Sequence, residues 1–252
     1  MDHAIYTAMG AASQTLEQQS VTASNLANAS TPGFRAQLEA YRAVPVNGWS
    51  LPTRTLVTAS TPGADMTAGA MDNTGRALDV AVQQDGWLAV RTADGSEAYT
   101  RNGNIQISST GILTIQGNPV MGDGGPIAVP QGAELTIATD GTITSRNPGD
   151  APNATVQIGR LKLVTATGQE LQRSDDGMFR PTAQTQATRG AALAEDTTVQ
   201  VSPGVLEGSN VKPVETMVDM IANARRFEMQ MKVISNVDEN EQKANQLLNM
   251  SS

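Results

Sequence analysis

The sequence predicts a mixed fold: a mainly β middle domain of hairpins and meanders, inserted between N- and C-terminal α-helices that form a coiled-coil-like assembly domain. Three observations predict it. Apolar residues step by threes and fours at both ends of the chain. Short β-prone runs separated by Asp-Gly and Asn-Gly turns fill the middle. Pro-Gly breakers stand where one pattern gives way to the other.

Residues 2 to about 28 read as the first helix. Ile5, Met9, Ala12, Leu16, Gln19, Ala23 and Leu26 alternate steps of four and three, the spacing of a coiled-coil seam. The segment carries only Asp2 and Glu17 as acids and has no Lys or Arg. So narrow a stripe with so little charge gives the helix little reason to be stable alone. Asn25 and Asn28 are placed to satisfy backbone groups where it ends, and Thr31-Pro32-Gly33 stops it and turns the chain, with Phe34 following. This N-terminal segment is set at 1–35.

Residues 36–70 are rich in Pro, Gly and Thr with weak periodicity, and read as an extended connector. The repeated Thr-Pro-Gly at 61–63 reads as turn chemistry. From 71 to 203 the pattern is β. Leu78–Val82, Trp87–Val90, Ile105–Ile107, Ile112–Ile115, Leu135–Ile137 and Leu161–Val164 are short, mostly alternating runs. Asp85-Gly86, Asp94-Gly95, Asn102-Gly103, Asp140-Gly141 and Asp176-Gly177 separate them.

The C-terminal segment, 204–252, contains the longer helix. No Gly or Pro interrupts Val214 to Leu248, a length of roughly 50 Å. Pro213 suits a first turn, with Asn210 or Ser209 as its cap. Met217, Met220, Ala224, Phe227, Met231 and Ile234 repeat the three-four stepping, which then shifts to Val237, Ala244 and Leu248. An antiparallel pairing of the two ends would set Leu26 roughly opposite Phe227.

Composition excludes several function classes. The net charge is −8, so no basic face for nucleic acid or an anionic membrane is expected. There is no cysteine, which removes disulfides, thiolate catalysis and Cys-based zinc sites. His3 is the one histidine, too few for a two-histidine metal site and poorly placed for a Ser-His-Asp triad. Asp175-Asp176-Gly177 lacks the spacing and the Glu of an EF-hand loop, so it reads as a turn. Gly122-Asp123-Gly124-Gly125 lacks the Lys-Ser/Thr of a phosphate loop and reads the same way. Asp79, Asp85 and Glu97 are near in sequence, but surface carboxylates are the simpler reading. No cofactor and no metal is expected, and the chain is not expected to be an enzyme. No apolar run is long enough to span a membrane, and the N-terminus lacks the basic-then-apolar pattern of a secretory signal.

Three segments together carry a resemblance. Ala23-Ser24-Asn25-Leu26-Ala27-Asn28-Ala29-Ser30-Thr31-Pro32-Gly33-Phe34-Arg35 resembles the N-terminal signature of the flagellar basal-body rod and hook axial proteins. Leu78–Val82 with Asp85-Gly86-Trp87 and Tyr99-Thr100-Arg101-Asn102-Gly103 is similar to their central module. Gly204-Val205-Leu206-Glu207-Gly208-Ser209-Asn210-Val211, with Glu215, Met220-Ile221 and Arg226-Phe227-Glu228, resembles their C-terminal signature. Distal-rod and hook members usually carry an aromatic pair where this chain has Trp87-Leu88, which points to the proximal-rod branch.

The resemblance implies a structural subunit of the proximal rod, self-assembling through its terminal helices into the axial drive shaft. It implies partners among the other proximal and distal rod subunits and the surrounding rings, in homo- and hetero-oligomeric contact. It also implies a place in the basal body within the periplasmic space, reached through the flagellar type III export channel without a cleaved signal. Ile5, Met9, Leu16, Asn25, Leu26, Asn28, Pro32, Gly33, Phe34, Leu206, Asn210, Met217, Met220, Ile221, Phe227, Met231, Ile234 and Leu248 are the expected assembly residues. The competing readings are a distal-rod or hook protein, and, in other classes, a secreted β-rich adhesin with helical ends or a β-solenoid or sandwich enzyme.

Overall fold

The computed structural model describes residues 2–45, 55–149, 154–174 and 176–250. Long helices stand at both ends, α1 (Asp2–Ala27) and α3 (Pro213–Met250), with a third, α2 (Ala183–Arg189), inside the β-rich middle. The chain divides into two compact units. One comprises Met1–Asn28, Gln37–Gly63 and Val211–Ser252, and the other Ala29–Ala36 and Ala64–Asn210.

In the first unit α1 packs against α3. Where the composition suggests an extended connector, the strands Gln37–Pro45 and Thr55–Ala64 pair with each other as a two-stranded sheet. Thr-Pro-Gly at 61–63, expected as a turn, lies within the second strand. A two-stranded sheet has only edges, and an edge strand tolerates the missing N–H of a proline.

The second unit is built on a five-stranded antiparallel sheet in the order Leu163–Thr165, Gly86–Arg91, Glu97–Thr100, Phe179–Pro181, Leu171–Arg173. Three-stranded sheets join Glu134–Ile137, Thr142–Arg146 and Val156–Arg160, and Gln106–Ile107, Leu113–Ile115 and Asn118–Pro119. Val80–Val82 pairs with Val201–Pro203, and Met71–Asn73 with Val205–Glu207. The turns predicted at Asp94-Gly95 and Asp140-Gly141 close hairpins, each with the aspartate accepting a backbone N–H two residues on. The loop Gly122–Gly125 is the tight turn of another.

Val80, Leu88, Ile105, Leu113, Ile143 and Leu161 are fully buried in the main core. A second cluster gathers Trp87, Tyr99, Val164, Phe179 and Leu193. Trp87 lies 4.8 Å from Phe179, ring centre to ring centre, and its indole N–H donates to the Ala166 carbonyl at 3.0 Å. Helix α2 has seven residues, too few for a periodicity to register, and its Thr and Gln content carries no apolar stripe.

Tyr99 provides a test of this core. The Leu193 N–H donates to its hydroxyl at 2.7 Å, and burial pushes the phenol up to about 12, with that N–H opposing. The folded chain therefore holds the proton more tightly than the unfolded chain, whose phenol titrates near pH 10. Stability from this group is present below about pH 10 and falls as pH rises toward 12. Thermal unfolding of the parent should show this alkaline loss, and Tyr99→Phe should lack its Tyr99 component. That variant should also be less stable at neutral pH by about 1–3 kcal/mol, because it strands a buried N–H.

Candidate assembly interface

Two hydrogen-bonded rungs set how α1 and α3 meet. Thr15 Oγ1 lies 3.1 Å from the Gln230 carboxamide, and Asn223 Nδ2 donates to Thr22 Oγ1 at 3.4 Å. Seven residues separate the rungs on each helix, and the numbering runs up one as it runs down the other, so the pair is antiparallel. Ala12, Thr15, Thr22 and Asn223 are buried. Ile5, Ala8, Gln19 and Leu26 on α1, and Thr216, Met220, Phe227, Gln230, Ile234 and Val237 on α3, are half-buried.

This inward stripe shares half its positions with the predicted one. Met9, Leu16 and Ala23 are replaced on the inside by Ala8, Thr15 and Thr22. Met217, Ala224 and Met231 give way to Thr216, Asn223 and Gln230. Both stripes obey the three-four stepping, so periodicity alone cannot choose between them, and hydrophobicity selects the one that faces out. The register also corrects the expected opposition of Leu26 and Phe227. It sets Leu26 level with Met220 and Phe227 level with Gln19, roughly two helical turns apart.

The large apolar side chains are consequently exposed. Leu16 on α1 is 53% exposed and Ile221 on α3 54%. Tyr6, Met9, Val214, Met217, Val218, Met229, Met231 and Val233 are exposed with them. The side chain of Leu248 lies outside the described residues.

The asparagines organise the chain around the helix ends. Asn28 Nδ2 donates to the Ser24 carbonyl at 2.9 Å, within the last turn of α1. Asn25 takes both backbone groups of Gln37, accepting its N–H at 2.8 Å and donating to its carbonyl at 3.0 Å. Asn210, expected as a helix cap, does other work. Its Oδ1 accepts the Ala36 N–H at 2.7 Å, and its Nδ2 donates to the carbonyls of Asp65 and Thr67 at 2.9 and 3.0 Å.

In the second unit the two terminal signatures meet in a buried ion cluster. Glu207 has no exposed surface. Its Oε1 lies 2.6 Å from Arg35 Nη1, and its Oε2 accepts from Arg101 Nε at 2.9 Å. The Gly69 N–H donates to the same carboxylate at 3.1 Å, and the Gly33 N–H to the Glu207 backbone carbonyl at 2.7 Å. Arg101 Nη1 donates to the carbonyls of Gln84 (2.8 Å) and Gly86, and its guanidinium stands 5.8 Å from the Trp87 ring centre. Burial pulls Arg101 below the usual arginine range, with the Glu207 carboxylate opposing. Gly33 has φ +68°, and a Cβ there would sit 2.3 Å from the Arg101 carbonyl carbon, so only glycine lets the segment pass. Phe34 is buried with the Arg173 guanidinium 4.5 Å from its ring centre, and Leu206 is buried on the neighbouring strand. Gly33, Phe34 and Leu206 thus belong to the interior of this unit.

The acids weighed for chemistry are dispersed. Asp79 accepts from Thr74 at 2.7 Å and pairs with Arg76 at 3.4 Å, while Glu97 pairs with Lys162 at 2.6 Å. Asp85 lines a cleft of about 280 Å³ with Met66, Met71, Trp87 and Arg101. Among the described residues no three metal-ligating side chains gather, and no helix is long and apolar enough to cross a membrane.

Comparison with known proteins follows the same three segments. Family models described as flagella basal body rod protein, flagellar hook protein FlgE/F/G D1 domain, and flagellar basal body rod FlgEFG protein C-terminal match residues 5–35, 81–145 and 202–247. The flagellar basal-body rod protein FlgF of Salmonella typhimurium is 74% identical over 251 residues, covering all of both chains. The chain belongs to the flagellar basal-body rod protein family. FlgF of Escherichia coli K12 is likewise 74% identical over its whole length, whereas FlgG of Agrobacterium fabrum is 31% identical over 254 residues, 92% of this chain and 93% of its own. The chain is a structural subunit of the flagellar basal-body rod, and it assembles with other rod subunits there. The wide gap between 74% and 31% favours likeness to the FlgF relatives over the FlgG one.

Proposed function

We propose that this subunit builds the proximal part of the rod by self-association of its terminal helices, which form a coiled-coil-like core around the export channel. The observation that carries this reading is the outward placement of Met9, Leu16, Ile221 and Met231 on a helix pair whose inward stripe carries Ala8, Thr15, Thr22, Thr216, Asn223 and Gln230 between its apolar positions. A free monomer gains nothing from the exposed half of such a surface, whereas burying it against neighbouring subunits contributes about 0.8–1.5 kcal/mol per side chain. Rungs spaced by seven residues on both helices support the coiled-coil part. The β-rich unit makes further contacts with rod subunits and with surrounding rings. Passage through the flagellar export channel to the periplasmic space completes the reading, and a chain without cysteine has no disulfide to undo on the way.

Expression in a motile host lacking its own copy tests the proposal. The chain should restore swimming and be recovered in isolated basal bodies, in the rod segment nearest the membrane. Folded chain that is present in the cell but missing from basal bodies would reject the assignment and favour the adhesin class.

A further inference from the structure

We infer that the polar pairs Thr15–Gln230 and Thr22–Asn223 select which face each terminal helix turns inward, and so keep the large apolar side chains outward. The sequence offers α1 two seams with the same stepping, one through Met9 and Leu16 and one through Ala8, Thr15 and Thr22. α3 offers the same choice, through Met217 and Met231 or through Thr216, Asn223 and Gln230. The alternatives share Ile5, Ala12, Gln19 and Leu26, and Met220, Phe227 and Ile234, and they differ by a roll of roughly 50° about each helix axis.

Hydrophobic burial alone favours the seam with Leu and Met inside. The molecule adopts the other one, and the groups that distinguish it are the two rungs. Thr22 donates its hydroxyl proton within α1 to the Gln18 carbonyl at 2.7 Å, and the Thr15 hydroxyl donates to Gln230 Oε1 at 3.1 Å across the pair, with the Ala11 carbonyl 2.9 Å away as a competing acceptor. Thr22 so placed presents a lone pair across the interface to the Asn223 Nδ2–H at 3.4 Å, whereas Thr15 offers its proton to the Gln230 carboxamide oxygen, so the two rungs run in opposite donor directions. Asn223 is 2% exposed, so rolling α3 would break a satisfied buried pair. A buried polar pair of this kind contributes specificity of arrangement more than strength.

The absence of native cysteine allows a direct test on the full chain in solution. Two cysteine pairs are introduced separately: Ala12→Cys with Ile234→Cys, on positions both seams share, and Leu16→Cys with Met231→Cys, inward only in the rolled seam. Each is placed in the parent and in a variant carrying Thr15→Ala, Thr22→Ala, Asn223→Ala and Gln230→Ala, then joined with a short bifunctional maleimide. In the parent only the shared pair should cross-link. In the variant the shared pair should still link, the Leu16–Met231 pair should begin to, and a lone Leu16→Cys should react roughly tenfold more slowly with a soluble thiol reagent.

A variant that keeps Leu16 reactive and the second pair unlinked would overturn the proposal, because small size rather than hydrogen bonding would then choose the face. Loss of the shared cross-link would overturn it too, since the rungs would be supplying strength instead of selection. So would a parent in which the shared pair does not link. None of these results bears on recovery of the chain in basal bodies, so failure here and failure of the proposed function are distinguishable.

Discussion

Glu207→Gln should destabilise the β-rich unit by about 3–5 kcal/mol, a lowering of the melting temperature on the order of 10 °C. Among the described residues the carboxylate is the one acid directly paired with two buried guanidinium groups, at 2.6 Å from Arg35 and 2.9 Å from Arg101. A carboxamide in its place presents one oxygen and one N–H to two donors, so at least one arginine faces a donor. Desolvation, which already pulls Arg101 down, would then be opposed by no charge in contact with it. Arg35→Met should cost less than Glu207→Gln, because Arg101 and the Gly69 N–H continue to satisfy the carboxylate. Thermal unfolding followed by tryptophan fluorescence gives the ordering. Equal and small losses, within about 0.5 kcal/mol of the parent, would mean that the cluster is relaxed by water and does not hold the two signatures together.

The cluster also marks where sequence reading stopped. Arg35 and Glu207 both stand inside the terminal signatures, but a single arginine and a single glutamate carry no spacing that marks them as partners. The signal is present: Arg35 is the first Lys or Arg of the chain, and Glu207 is an acid inside the β-prone run Val205–Glu207. What sequence could not supply was that Arg101, more than a hundred residues from Glu207, completes the set. Fold class was legible because helix and strand periods differ, and Asp94-Gly95 and Asp140-Gly141 announced their hairpins. Strands of two or three residues such as Asn118–Pro119 and Phe179–Pro181 carry no period, and only their pairing with neighbouring strands makes them strands. The helix seams failed for a different reason. Two stripes fitted the same stepping, and hydrophobicity pointed to the one that faces solvent in the single subunit.

That inversion leads to the largest functional effect expected here. Leu16→Glu combined with Ile221→Glu should abolish incorporation into basal bodies and swimming, while leaving the melting temperature of the purified chain within about 2 °C of the parent. Both side chains are more than half exposed in the single subunit, so charge there costs the isolated fold little. Against neighbouring subunits the same change removes about 0.8–1.5 kcal/mol of burial at each half-exposed site and adds the desolvation of a carboxylate, repeated at every subunit. By contrast Phe227→Glu, on the half-buried face, should lower helix content in the free chain as well as block assembly. Circular dichroism of the purified chains separates the two kinds of failure. If Leu16→Glu with Ile221→Glu assembled normally, the outward stripe would not be a subunit contact, and the search would move to the exposed strands of the β-rich unit.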